Sequence, residues 1–460
     1  MSKRSRSGWA SGTYAEVPAR GSMPGRMAMD RNGPAPKVAL VLPGGGARGA
    51  YEAGALSVLL PALEERGEQV SVICGTSVGA INAVSAAGLA HRSAQEQVDE
   101  GLSHWRNLRK DDVISPVLGP GLAISAARGL AEALGVPGVR LASLLDPKPM
   151  ASSLEKWIDW MSLHRNVRNG TLDAVCVVAT SLSTGRPTAF VETRGPAPRN
   201  KSTDGIRFQK VTLTGEHVRA SAAMPLLFPP VEVTKPVRAA GHYIDGATRL
   251  NTPLAPALAL GADRVIVIGF KPFATPPEEE LARRPRMTDV LANILDGLMI
   301  DQIADDLHQL AAINSFFADS IGGVSSSARA YRTARGRPSY RRISYALVAP
   351  ESRTTLAEVA ERVLDEKFGG LRFLRDPDFP LLSRLLDGGR RGELMSFVLF
   401  DQDFAAALIE LGQADAQRWL DRHPRFWCSD AAHDLDFDDS SAEVMREEQA
   451  IDEWRELRRR

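Results

Sequence analysis

Two short apolar runs, each followed by a glycine-rich turn and a helical pattern, constrain the fold of this chain more than any other feature. The first run is Lys37–Leu42 and the second is Val70–Cys74. Helical patterns follow them at about 50–66 and 78–90. Short apolar runs are typical of buried strands, and this order implies right-handed crossovers between parallel strands. The amino-terminal region therefore predicts an α/β fold.

The pattern continues less regularly toward the carboxyl end. We predict further strands at Leu172–Ser181, Thr188–Glu192, Val211–Leu213, His242–Ile244, Arg264–Phe270 and Ile343–Val348. The prediction is a three-layer α/β body over residues 37–350 with a mainly parallel central sheet. A helical extension with a charged tail follows over 351–460. Residues 1–36 are rich in Gly, Pro, Ser, Arg and Met, which predicts a disordered basic arm.

Composition excludes several classes of protein. Lys and Arg total 56, as do Asp and Glu, so the formal net charge is zero and no nucleic-acid partner is expected. Three cysteines that lie far apart predict neither a disulfide framework nor a thiolate metal site. The apolar stretch 253–270 is interrupted by two charges, and a bilayer span needs about 20 apolar residues. We therefore predict a cytoplasmic protein, or one peripheral to a membrane. The basic arm and the Arg-rich segment 329–342 are interpreted as solvated surface, and contact with anionic lipid headgroups is the alternative for each.

The segment Gly75–Gly79 reads G-T-S-V-G and lies between a predicted strand and a predicted helix. This is the context of a nucleophile elbow, a strained turn where a Cβ at Gly75 or Gly79 would clash. The position also places the Ser77 hydroxyl near the positive end of a helix dipole. The motif predicts Ser77 as a nucleophile, and its alternative is a structural glycine-rich turn.

A second glycine-rich loop, between the first strand and its helix, contains Gly44, Gly45, Gly46, Arg48 and Gly49. Acyl transfer builds negative charge on a carbonyl oxygen, and backbone N–H groups in such a loop can bind that charge. We predict an oxyanion hole here. Arg48 would either steady the loop or attract an anionic headgroup.

The same loop also fits the dinucleotide fingerprint G-x-G-x-x-G. That fingerprint expects an acidic residue about 20 positions on, at the end of the second strand. Cys74 and Gly75 occupy that strand end, whereas Glu64, Glu65 and Glu68 precede the strand. The missing acid disfavours dinucleotide binding, although the loop alone leaves both interpretations open.

The third signal is Asp245, which begins the sequence D-G-A just after a short predicted strand. A serine hydroxyl becomes a good nucleophile when a base takes its proton. A carboxylate can be that base if its surroundings raise its pKa above about 3.9. The alternative is a plain Asp-Gly turn.

Together these motifs resemble the patatin-like phospholipase family, which carries a G-G-G-x-[RK]-G loop, a G-x-S-x-G elbow and a distant D-G-[GA] in this order. The stretch 220–230 (ASAAMPLLFPP) and the sequence N-T-P at 251–253 are similar to the family as well. The similarity covers roughly residues 37–270.

The resemblance implies a Ser77–Asp245 dyad without a catalytic histidine, metal or cofactor. The expected activity is hydrolysis of fatty-acyl esters of phospholipids or lysophospholipids, with transient contact to a membrane surface. Alternatives are a neutral-lipid or general esterase on the same dyad, a dinucleotide-dependent oxidoreductase and a non-catalytic lipid-binding protein. A Ser-His-Asp triad would need one of the histidines near or beyond Asp245, which are His242, His308, His423 and His433.

Overall fold

The computed structural model of the chain describes residues 35–114, 148–200, 205–225, 227–272, 343–368 and 391–428. Most of the predicted basic arm, the Arg-rich segment 329–342 and the charged tail from residue 429 lie outside the described residues. Within the described ranges, no helix is both long and apolar enough to cross a membrane.

A central sheet forms the core, in the spatial order β5-β4-β3-β2-β1-β8-β9. Neighbouring strands are parallel along this order except β3 and β4, and a hairpin of β6 and β7 adds to β3 in antiparallel fashion. The strands are β1 Val38–Leu42, β2 Val70–Thr76, β3 Ala174–Ser181, β4 Pro187–Thr193, β5 Arg207–Lys210, β6 Val231–Val233, β7 Gly241–Asp245, β8 Arg264–Ile268 and β9 Ser344–Val348. The predicted mainly parallel α/β sheet is confirmed.

Helices pack against this sheet and continue beyond it, as the sequence predicts. The first two, α1 Gly49–Glu65 and α2 Val78–Leu89, each follow a glycine-rich turn. The others in the described part of the chain are α3 Ala94–Asn107, α4 Lys110–Val113, α5 Lys148–Trp157, α6 Trp160–Asn169, α7 Gly215–Ser221, α8 Leu254–Ala259, α9 Thr355–Phe368, α10 Arg391–Val398 and α11 Gln402–Arg422.

The predicted strand at Val211–Leu213 is wrong in position. The strand β5 comes earlier and pairs in parallel with β4, from Thr188 opposite Arg207 to Val191 opposite Lys210. Both of its terminal side chains are exposed charges, while its two central residues are buried. A search for apolar runs misses such an edge strand, because charged side chains are common at the edges of sheets.

The carboxy-terminal helix α11 packs directly on α1. A Cβ at Gly54 of α1 would overlap the carbonyl of Ile409, and one at Gly412 would overlap the carbonyl of Tyr51. The buried Tyr51 hydroxyl donates a hydrogen bond of 2.7 Å to Asp415 Oδ2. The extension is therefore joined to the first helix of the body by close backbone contacts and a buried hydrogen bond.

Candidate active site

Strand β3 brings Ser77 and Asp245 together across 168 positions of sequence. On one edge of β3, the strand β2 pairs as far as Thr76 opposite Val178. On the same edge, β7 begins to pair one position further on, with Asp245 opposite Ala179. The residue after Thr76 therefore lies directly beside the last residue of β7.

The two side chains form a short, buried hydrogen bond. Ser77 Oγ donates to Asp245 Oδ2 at 2.6 Å, and Asp245 Oδ1 accepts from the N–H of Ala247 at 2.8 Å. Asp245 is 0% exposed. Burial raises the pKa of Asp245 to about 7, against the opposing effect of the hydrogen bonds from Ser77 and Ala247. A carboxyl group with this pKa can accept a proton near neutral pH and return it.

The turn around Ser77 has the geometry of a nucleophile elbow. Ser77 has φ 54° and ψ −123°, a backbone conformation that is uncommon for a residue other than glycine. A Cβ at Gly75 would overlap the carbonyl of Gly79, and one at Gly79 would overlap the carbonyl of Leu42. Both glycines are therefore required sterically, as the motif predicts.

A second serine side chain is hydrogen-bonded to the backbone of the elbow. The N–H of Ser77 donates to Ser221 Oγ at 2.8 Å, and Ser221 Oγ donates to the carbonyl of Val178 at 2.5 Å. Sequence reasoning assigned no role to Ser221, although it lies in the 220–230 stretch that carries part of the family resemblance. The resemblance of that stretch to the family is the sequence signal that could have identified Ser221 as part of the site.

The glycine loop lies against the nucleophile. A Cβ at Gly44 would come within 2.9 Å of the Ser77 Cβ, and the N–H of Gly44 donates to Asn251 Oδ1 at 2.8 Å. Among the described residues, no acceptor meets the N–H groups of Gly45 and Gly46. Of the predicted donors in the loop, these two backbone groups remain available to a substrate oxygen.

Arg48 and Gly49 do not contribute free donors. The N–H of Arg48 donates to the carbonyl of Gly45 at 3.2 Å, and the N–H of Gly49 donates to Gly46. The Arg48 side chain is 1% exposed, and its Nη2 donates to Glu393 Oε1 at 2.8 Å. Of the two roles predicted for Arg48, this geometry fits steadying of the loop, because a guanidinium that is buried in this way does not face an anionic headgroup.

An apolar cavity opens beside Ser77. It follows one face of α2 from Val78 to Leu89, and α2 with its 12 residues is about 18 Å long. Its walls include apolar side chains of α1, α3, α10 and the segment after α10, among them Leu56, Leu60, Leu102, Trp105, Phe397 and Phe400. The site thus combines a nucleophile with a long apolar binding space.

The two rival interpretations of the motifs fit this geometry poorly. A dinucleotide fingerprint expects an acidic residue at the end of the second strand, but β2 ends in Gly75 and Thr76. In a triad a histidine would accept the proton of Ser77, and Asp245 takes that position here. His242 is exposed, His423 stacks on Trp419, and His308 and His433 lie outside the described residues.

Comparisons with known proteins agree with these observations. Residues 40–258 match the model of a family described as patatin-like phospholipase. No curated protein matches the sequence.

Among solved structures, VipD from Legionella pneumophila is 15% identical over 85% of this chain and 67% of its own, with a TM-score of 0.31. Human GIVD cytosolic phospholipase A2 is 12% identical over 83% of this chain, with a TM-score of 0.35, and this chain spans 57% of its length. ExoU from Pseudomonas aeruginosa, in complex with SpcU, is 17% identical over 90% of this chain and 82% of the matched chain, with a TM-score of 0.23.

Proposed function

Residues 40–258 belong to the patatin-like phospholipase family, and from this premise we propose that the chain is a serine acyl hydrolase that cleaves fatty-acyl esters of phospholipids or lysophospholipids. The observation that carries the proposal is the buried 2.6 Å hydrogen bond from Ser77 to Asp245. It lies beside an apolar cavity that follows α2.

In the proposed reaction, Ser77 Oγ attacks the ester carbonyl while Asp245 accepts the hydroxyl proton. Asp245 then returns the proton to the departing alcohol, and the acyl group stays on Ser77. A water molecule, activated by the same carboxylate, releases the fatty acid. The pKa of about 7 supports this double role, because the carboxyl group is near the midpoint of its titration at neutral pH.

The negative charge on the reacting carbonyl oxygen would be bound by the N–H groups of Gly45 and Gly46. The N–H of Gly44 already donates to Asn251, so its role in the proposal is to fix the loop. Loss of one oxyanion donor typically lowers the rate by about 10²–10³. The loop geometry should therefore affect the rate much more than it affects binding.

The length of the cavity favours a lipid over a small ester. The apolar lining follows a face of α2 that is about 18 Å long, which suits an extended apolar chain better than a compact ester. Burial of each methylene contributes about 0.8 kcal/mol. Access to such a substrate implies transient contact with a membrane surface, while a neutral-lipid or general esterase on the same dyad remains the alternative.

The test is hydrolysis of a short-chain chromogenic ester and of phosphatidylcholine and lysophosphatidylcholine vesicles, with chelator present. The wild-type protein should hydrolyse both kinds of substrate, and Ser77→Ala and Asp245→Asn should each lower kcat by at least about 10³. Hydrolysis of the short ester alone would support the general esterase. Full activity in Ser77→Ala would reject the proposal.

A further inference from the structure

We infer that Glu393 and Ser396 on α10 are positioning residues for the oxyanion loop, the glycine-rich segment 44–49 that carries the proposed oxyanion donors, and that they hold it through Arg48. The inference rests on the proposed function, because it assigns a catalytic consequence to a buried cluster outside the hydrogen-bonded dyad. It concerns a segment outside residues 40–258, the part of the chain that matches the family.

The cluster surrounds the Arg48 guanidinium with acceptors from one helix. Arg48 Nη2 donates to Glu393 Oε1 at 2.8 Å and to Ser396 Oγ at 2.7 Å, and Nε donates to Ser396 Oγ at 2.9 Å. The Ser396 hydroxyl donates in turn to the carbonyl of Glu393 at 2.6 Å. The guanidinium is thereby fixed in both position and orientation, since its planar fork meets acceptors on two sides.

The cluster places one negative charge between two positive charges in a site from which water is largely excluded. Lys271 Nζ lies 3.4 Å from Glu393 Oε1, and the side chains of Arg48, Lys271 and Glu393 are 1%, 7% and 11% exposed. Burial alone would raise the pKa of Glu393, but Arg48 and Lys271 outweigh that effect and lower it. Glu393 is therefore ionised, and removal of its charge leaves a buried guanidinium poorly compensated.

The same helix also contacts the backbone of the loop. Gly46 has φ +59°, and the carbonyl of Phe397 fills the space that a Cβ at Gly46 would need. The Arg48 guanidinium lies 3.9 Å from the centre of the Phe397 ring. Helix α10 thus fixes two residues of the loop. It fixes the backbone of Gly46, whose N–H is one of the two proposed oxyanion donors, and it fixes the side chain of Arg48.

An interaction that positions oxyanion donors acts on the transition state, so its loss should lower kcat without raising KM. We expect Glu393→Gln and Ser396→Ala each to lower kcat by about tenfold, less than the 10²–10³ lost with a whole donor. KM for a soluble ester should stay within about twofold, because both residues lie outside the cavity wall. The double variant should lose less than the product of the two single losses, since both residues act through Arg48.

The matched control is Asp365→Asn. Asp365 Oδ1 accepts a hydrogen bond of 2.9 Å from Arg391, which lies on α10 like Glu393 and Ser396. The Asp365 side chain, however, is 72% exposed and does not contact the loop. This variant should keep the wild-type kcat. Thermal unfolding checks that each variant is folded, and titration with a fluorophosphonate counts the reactive sites, so that kcat is calculated per competent site. If Glu393→Gln does not fold, Ser396→Ala alone tests the inference.

The outcomes separate this inference from the proposed function. If wild-type turnover depends on Ser77 but both α10 variants keep kcat within about twofold, the positioning role is wrong and the dyad stands. An increase in KM with unchanged kcat would also reject it, in favour of a role in binding. If the wild-type protein shows no Ser77-dependent turnover, the proposed function itself fails.

Discussion

The two glycine-rich turns of the site differ in what holds their shape. At the elbow, the atoms that require glycine at Gly75 and Gly79 are backbone atoms of the elbow itself and of the end of β1. At the oxyanion loop, the atoms closest to its first three glycines, at 44–46, belong to Asn251, Phe270 and Phe397, which lie more than 200 positions away in sequence. The elbow is largely shaped by its own motif, whereas the loop is shaped by distant segments.

This difference decides how each turn responds to substitution. A side chain added at the elbow meets backbone that cannot move without opening the turn between β2 and α2. One added at Gly46 meets the carbonyl of Phe397 on α10, a helix outside the sheet. Elbow substitutions should therefore damage folding, and loop substitutions should mainly damage the rate.

The largest effect is expected for Gly75→Ala. The added Cβ would overlap the Gly79 carbonyl in the middle of the buried core, so we expect a loss of about 3 kcal/mol in the free energy of unfolding, together with loss of activity. Urea unfolding measures this loss. Gly101→Ala is the control, because a Cβ there in α3 meets no atom within 4 Å and should stabilise the helix by about 0.5–1 kcal/mol. Equal stability of the two variants would contradict the comparison.

A smaller effect on stability, but a large one on rate, is expected for Gly46→Ala. The substitution forces a side chain into a positive-φ position against the Phe397 carbonyl and displaces a proposed donor, so kcat should fall by about 10²–10³. Steady-state kinetics on a soluble ester would measure it.

Gly185→Ala isolates the backbone strain from the contact with α10. Gly185 also has a positive φ, +63°, but no atom lies within 4 Å of its Cβ position. Gly185→Ala should lower the free energy of unfolding by about 1 kcal/mol and leave kcat unchanged. If Gly46→Ala behaves like Gly185→Ala, the contact with Phe397 has no part in shaping the loop.

The sequence predicts the local structure well where a motif carries its own geometry. The α/β class, the mainly parallel sheet and the elbow between strand and helix follow from apolar runs and glycine spacing. The partnership of Ser77 with Asp245 needed the family resemblance, because no local pattern reveals that β7 joins β3 at Ala179.

Other features could not be predicted because they depend on tertiary contacts. Ser221 and Asn251 lie in stretches that resemble the family, but only packing shows that they bind the N–H groups of Ser77 and Gly44. The direction of the Arg48 side chain is set by α10, more than 340 positions away. The strand β5 was misplaced because its ends carry exposed charges.

The central claim, that Asp245 is the base for Ser77, is tested most directly by the pH dependence of kcat/KM on a soluble ester. Asp245 must be ionised to accept the proton, and its pKa is about 7 because of burial. We therefore predict that kcat/KM falls about tenfold per pH unit below 7 and levels off above it, and that Asp245→Asn is inactive throughout. A rate that is flat between about pH 5 and 8, or Asp245→Asn activity close to wild type, would contradict the account.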